Sequence, residues 1–197
     1  MTTRVDGGQI KDGDITEAKL QTLINPTAQV SNNAFNIGVL GFKLAVNDGL
    51  TVFNLVDGVV DEFHDNTGVD TSESSNATYD ASADTFSNST TSMTLISDTF
   101  TANATPSKAR LVVFAEVPDD LNTDISASVT RDNSTFNAVS LTDEGYAAGS
   151  SGTKIFTGST PLTGAAPGQP QVQLRWKIVG TSLTGANKIH GVALQWN

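Results

Sequence analysis

Three pairs of neighbouring carboxylates are the residues best able to do chemistry: Asp61-Glu62, Asp119-Asp120 and Asp143-Glu144. Cleaving a glycosidic bond takes two carboxyl groups, one to protonate the leaving oxygen and one to activate water or attack. Neighbours along a strand point to opposite faces, so no single pair has acid and base on the same bond. Only carboxylates from different pairs could cooperate, and the sequence brings no two of them together. The histidines are His64, after Asp61-Glu62-Phe63, and His190, in an alternating segment near the C-terminus. Serine and aspartate are plentiful, but no Gly-x-Ser-x-Gly elbow singles out a nucleophile. No Walker A motif, dinucleotide fingerprint or His-x-x-x-His pattern occurs. Cysteine is absent, which removes disulfides, thiolate metal sites and thiol nucleophiles together. The expectation is a protein that is not an enzyme, with no catalytic residue, no metal ligand and no cofactor. His190 is expected as a hydrogen-bonded core or edge side chain.

Charge narrows the partners. Lys and Arg number 11 against 21 Asp and Glu, a formal charge of −10. From Leu44 to Ser107 there is no Lys or Arg, while Asp48, Asp57, Asp61, Glu62, Asp65, Asp70, Glu73, Asp80, Asp84 and Asp98 all fall there. Phosphate neutralisation needs clustered cations, so nucleic acid is excluded as a partner. The acidic stretch reads either as a solvated surface or as oxygen ligands for calcium. The Asp57, Asp61, Asp65 spacing does not match an EF-hand loop.

A weakly binding surface needs a presented ring, and Tyr146 is the loop-borne candidate. It lies in Asp143-Glu144-Gly145-Tyr146-Ala147-Ala148-Gly149-Ser150-Ser151-Gly152, whose small residues could present the ring to a glycan. A ring folded back on the protein is the equal alternative. Trp176 and Trp196 lie on alternating segments and are expected in the core.

The elements that position these residues follow from composition and periodicity. Hydrophobic residues make up 38% and charged residues 16% of the 197, against averages of about 45–50% and about 25%. Ser, Thr, Asn, Gly and Ala fill the difference, a composition suited to an all-β protein with broad loops. Residues 1–33 read as an attachment segment, in which Asp14 and Glu17 form a capping-box-like start to a short helix. Residues 34–63 read as a helical stem and a linker into the first strand. Phe35, Val39, Phe42 and Val46 make an a/d seam over two heptads, which suits packing on its own domain or a short parallel trimer. Between Leu50 and Phe63 extended chain is the first reading and continued helix the competing one, with Gly49 and Gly58 against the helix.

Residues 64–197 read as a β-domain. Strand-like runs occupy Met93–Thr101, Arg110–Val117, Ile125–Thr130, Phe136–Leu141, Lys154–Gly158, Gln171–Val179 and Lys188–Trp196. Val172, Leu174, Trp176 and Ile178 share one face, and His190, Val192, Leu194 and Trp196 share another. The predicted fold is mainly β, an antiparallel sandwich or jelly roll behind a short helical N-terminal stem. No apolar run approaches the roughly 20 residues of a membrane helix, so no membrane insertion is expected.

Several strings resemble virion structural proteins of tailed bacteriophages. They are Asn54-Leu55-Val56-Asp57-Gly58-Val59-Val60-Asp61-Glu62-Phe63, then Gly68-Val69-Asp70-Thr71, Thr130-Arg131-Asp132-Asn133-Ser134-Thr135-Phe136, and Ile189-His190-Gly191-Val192-Ala193-Leu194-Gln195-Trp196. Gly7-Gly8-Gln9-Ile10-Lys11-Asp12-Gly13 is similar to the N-termini of their fibres. The Thr130–Phe136 string also looks like a shortened Asp box, a structural hairpin of sialidases, with Ser134 in place of the glycine and Phe136 in place of the tryptophan. The resemblance implies a virion location and a short homotrimeric fibre. Its N-terminal segment would dock on other virion proteins, and its sandwich would face host-surface glycan. The alternatives are a capsid decoration protein that stabilises the head and a polysaccharide-degrading enzyme.

Overall fold

The computed structural model describes residues 52–197 apart from 56, 165, 166 and 169. The attachment segment and the seam residues Phe35, Val39, Phe42 and Val46 lie outside the described residues. Among the described residues no helix is long and apolar enough to cross a membrane.

The described chain is mainly β, with thirteen strands: β1 Val52–Leu55, β2 Gly58–Asp61, β3 Ala77–Asp80, β4 Thr85–Asn88, β5 Met93–Ile96, β6 Phe100–Thr101, β7 Lys108–Glu116, β8 Ile125–Thr130, β9 Asn137–Val139, β10 Thr142–Tyr146, β11 Lys154–Pro161, β12 Gln173–Gly180 and β13 Lys188–Trp196. They form two antiparallel sheets. The larger runs β1-β2-β13-β7-β11-β10, with β4 also on β13 and β3 on β4; the smaller runs β5-β12-β8-β9, with β6 on β12. Between Val52 and Asp61 the chain is a hairpin in the larger sheet, with Val52 opposite Asp61. Asp57, between its two strands, takes a left-handed φ of 54°, a conformation Asp tolerates better than most residues.

The two sheets close on one apolar core. Leu111, Val113, Val192 and Leu194 of the larger sheet pack toward Leu95, Val129, Leu174, Trp176 and Ile178 of the smaller. Full burial of side chains of this size contributes about 1.5–3 kcal/mol each. Phe63 lies in the same cluster, its ring 5.0 Å from Phe86 in an edge-on arrangement and 6.2 Å from Trp176. A second, smaller cluster of Val60, Val112, Phe114 and Ala193 has Ile155 and Ala147 packed against it. Val60 and Val112 both pair with Ala193. β7 and β13 are thus buried on both faces, which explains the unbroken apolar run Leu111 to Ala115.

Two details depart from simple alternation. His190 does not share a face with Val192 and Leu194, because a bulge between Ile189 and Gly191 shifts the register of β13 against β7. The extra residue puts Ile189 in the core with Val192 and Leu194 and turns His190 toward Glu116. Residues 143–146, read as loop, belong to β10. It is an edge strand with an almost wholly exposed pattern, so no apolar periodicity marks it.

Candidate functional site

Tyr146 ends β10, which pairs only with β11 and forms one edge of the larger sheet. Tyr146 is 69% exposed, the large hydrophobic residue that stands out in solvent among the described residues. β10 is irregular between Asp143 and Tyr146, and Gly145 takes a φ of 98° there. Tyr146 stands opposite Lys154 in the ladder. The Lys154 Nζ lies 5.3 Å from the ring centre and 2.6 Å from Asp143 Oδ2. Asp143 Oδ1 accepts the Gly145 N–H at 2.8 Å. The hydrogen bond from Lys154 holds the Asp143 carboxyl below its usual range, and the same bond raises Lys154. The next turn is closed by the Ala147 N–H on Thr153 O at 2.9 Å and by the Ser150 hydroxyl on Ala147 O and Thr153 O. The result is an exposed ring with the Lys154 ammonium over one face and the Asp143 carboxylate bound to that ammonium, the other face being open. Such a set can stack on a pyranose ring and hydrogen-bond its hydroxyls.

Asp119 and Glu144, two more of the paired carboxylates, have structural tasks. Asp119 accepts from the Thr184 hydroxyl and N–H, the Gly185 N–H and the Asn187 amide, which lowers its carboxyl, the Thr184 hydroxyl contributing most. Glu144 accepts the Thr157 hydroxyl at 2.7 Å. Glu116 joins His190 Nε2 at 2.9 Å and Lys188 Nζ at 3.2 Å, so His190 is a half-buried hydrogen-bonded side chain on the larger sheet. The Asp-box-like string makes the β8–β9 connection: Asp132 Oδ1 accepts the Thr130 hydroxyl and the Ser134 and Thr135 N–H groups at 2.9, 3.0 and 2.7 Å. Asn133, at φ 58°, turns the chain between them.

The acidic stretch is in part neither a solvated surface nor a ligand set. Asp70 and Glu73 both bind the guanidinium of Arg175 at 2.8 Å. Asp61 and Glu62 are buried at the end of β2. Asp61 pairs with Val192, so its side chain is on the core face. Its Oδ1 accepts the Phe63 N–H at 3.0 Å, while its Oδ2 is buried without a hydrogen-bond partner. Burial, with Asp65, Glu62 and Asp98 adding to it and the Phe63 N–H opposing, raises this carboxyl to about 7. His64 stands between Glu62 Oε2 at 3.2 Å and Asp84 Oδ2 at 3.0 Å. Among the described residues no group of three or more His, Asp or Glu is placed to hold a metal ion. Sequence reasoning missed the Arg175 and Asp61 arrangements, because each depends on contacts between distant segments.

No protein-family model matches the chain, and no curated protein does. Among solved structures, it is similar to the enzymatically active domain of tailspike protein 4 of bacteriophage CBA120. The TM-score is 0.32 and the identity 15%, over 57% of this chain and 15% of that one. The chain thus spans a small part of that protein, and so loose a superposition assigns neither a fold family nor an activity.

Proposed function

We propose that the chain is a structural component of a tailed-phage virion, a short fibre whose β-domain adheres to host-surface glycan through Tyr146. The observation that carries the adhesive reading is the exposed Tyr146 ring at a sheet edge, with Lys154 and Asp143 fixed beside it. The strand order supports a jelly roll. Pairs β8–β9, β7–β11, β5–β12 and β2–β13 are nested like a long hairpin, and the folded-over ribbon adds β7–β13 and β8–β12. Jelly rolls serve both viral shells and lectins, an argument by analogy of fold alone. The virion assignment rests on the sequence strings, and the trimer on the seam Phe35, Val39, Phe42 and Val46. Three copies would make individually weak sugar contacts effective through avidity. The protein acts by binding and has no catalytic role.

The test combines immunogold labelling of intact virions with binding of the purified full chain to host surface polysaccharide. Label at the tail or baseplate, with binding lost in Tyr146→Ala, is the expected result. Label over the head without glycan binding would replace this reading with capsid decoration. Release of reducing sugar that disappears on carboxylate substitution would replace it with an enzyme.

A further inference from the structure

One buried titratable group has no part in adhesion. Asp61 is 0% exposed, faces the core beside Val192, and leaves Oδ2 without a partner. It also holds the turn that follows, since its Oδ1 accepts the Phe63 N–H. Phe63 pays a conformational cost there, with a φ of 59°, a region that bulky residues avoid. Its ring is nevertheless fully buried against Phe86 and Trp176, and its carbonyl accepts the Tyr79 hydroxyl at 2.8 Å.

The charged and titratable groups around Asp61 are known element by element among the described residues. Glu62 follows it on the chain. Asp65 and His64 come from the turn after β2, Asp98 from the segment after β5, and Tyr79 from β3, whose phenol is itself raised by burial and by the carboxylates of Asp84, Asp65 and Asp61. Asp84, before β4, reaches the group through His64. Those that act on Asp61 are carboxylates. A carboxylate at Asp61 would therefore sit in a dry site among like charges, whereas a neutral carboxyl meets no such opposition.

We infer that Asp61 makes this end of the sandwich a proton-operated latch. With Asp61 neutral, the 61–68 turn closes on the core and Phe63 is held between the sheets. With Asp61 ionised, the turn opens, hydrates Oδ2 and withdraws Phe63. A group that ionises near 7 when closed and near its ordinary value when open makes opening rise by about tenfold per pH unit between about 4 and about 7, then level off.

The experiment is amide hydrogen exchange on the full chain at pH 5 and pH 7, corrected for intrinsic rates, with chelator present so that no divalent cation replaces the proton. Protection of the Phe63 and Val69 amides should fall by about 50-fold between the two pH values, while Val113 in β7, which exchanges only on global unfolding, should stay far better protected than either at both pH values. Asp61→Asn should abolish the step and His64→Asn should retain it. In the wild type, the Asp61 carboxyl carbon should titrate near 7 by NMR, which tests the idea without any variant. Protection independent of pH would overturn the latch. So would a step that Asp61→Asn retains, a step lost in His64→Asn, or Phe63 protection as high as that of Val113, which would make the opening global unfolding.

Discussion

Arg175 and Asp70, 105 residues apart in the chain, meet through Nη2 and Oδ2 at 2.8 Å. The arginine is 2% exposed and is saturated in several directions: Nε donates to Ser97 O at 2.7 Å, and Nη1 donates to Glu73 and Asn133. It therefore joins β12, the loop after β5, the 70–73 turn and the β8–β9 turn at one point. Removing it leaves a buried carbonyl and two carboxylates without their donor. The carboxylates return to water, so the loss rests on the buried Ser97 carbonyl, and Arg175→Ala is expected to cost about 1–3 kcal/mol in denaturant unfolding. Arg175→Lys should recover little of this, because an ammonium cannot reproduce the planar fork. Unfolding midpoints equal to wild type in either variant would show that the junction is not what holds these turns.

Gly158 tests how the edge of the larger sheet meets the smaller one. A Cβ at this position would lie within 2.4 Å of Ser140 O and 2.5 Å of Val139 Cγ1. The first of these is backbone, so a side chain has no soft neighbour to displace. Gly158→Ala should therefore force β11 away from the β9–β10 connection and destabilise by about 2 kcal/mol. A thermal midpoint of Gly158→Ala equal to wild type would show that β11 has room for a side chain here.

The core strands were legible because their apolar residues alternate or run unbroken. Ile125–Thr130 and Lys188–Trp196 have the bounds that pattern predicts. What was hidden depends on registry or on distance. The β13 bulge inserts one residue without changing composition, so the alternation that placed His190 beside Val192 carried no warning. β10 is polar because its edge position buries little. Nothing in the sequence marked Asp61 or Arg175 as buried, because their burial is decided by loops that come from elsewhere in the chain. Tyr146 was legible as a ring among small residues, but its partner Lys154 became evident only through the β10–β11 pairing.

The pH dependence of global stability has two limbs of opposite sign. Glu116, Asp143 and Asp70 have carboxyls held below their ordinary values in the fold. Their stabilisation is present above the unfolded values near 4 and is lost as pH falls through the folded ones. These groups are partly exposed, so solvent screening keeps that limb shallow. Asp61 acts the other way, with a folded value raised to about 7. Its neutral form is favoured below about 4, and that advantage is lost as pH rises from about 4 to about 7. The melting temperature should therefore peak in mildly acidic buffer and decline toward pH 8. Asp61→Asn should raise it at pH 8 and change it little at pH 4. A wild-type optimum at pH 8 would contradict this account.

Tyr146 gives the sharpest separation of folding from adhesion. Its ring is exposed, so truncation removes little buried area, and Tyr146→Ala should move stability by less than about 0.5 kcal/mol. Binding to host polysaccharide should nevertheless fall, because stacking requires a planar face that alanine lacks. Tyr146→Phe keeps the face and should keep most of the binding. Lys154→Ala breaks the pair with Asp143, and an exposed pair of this kind contributes little to stability. Its larger effect should be on binding, since it removes the donor beside the ring and frees the Asp143 carboxylate. Titration of the full chain with host polysaccharide should thus rank wild type and Tyr146→Phe above Lys154→Ala, with Tyr146→Ala weakest. Equal binding by all four, with folding intact, would move adhesion away from this edge of the sheet.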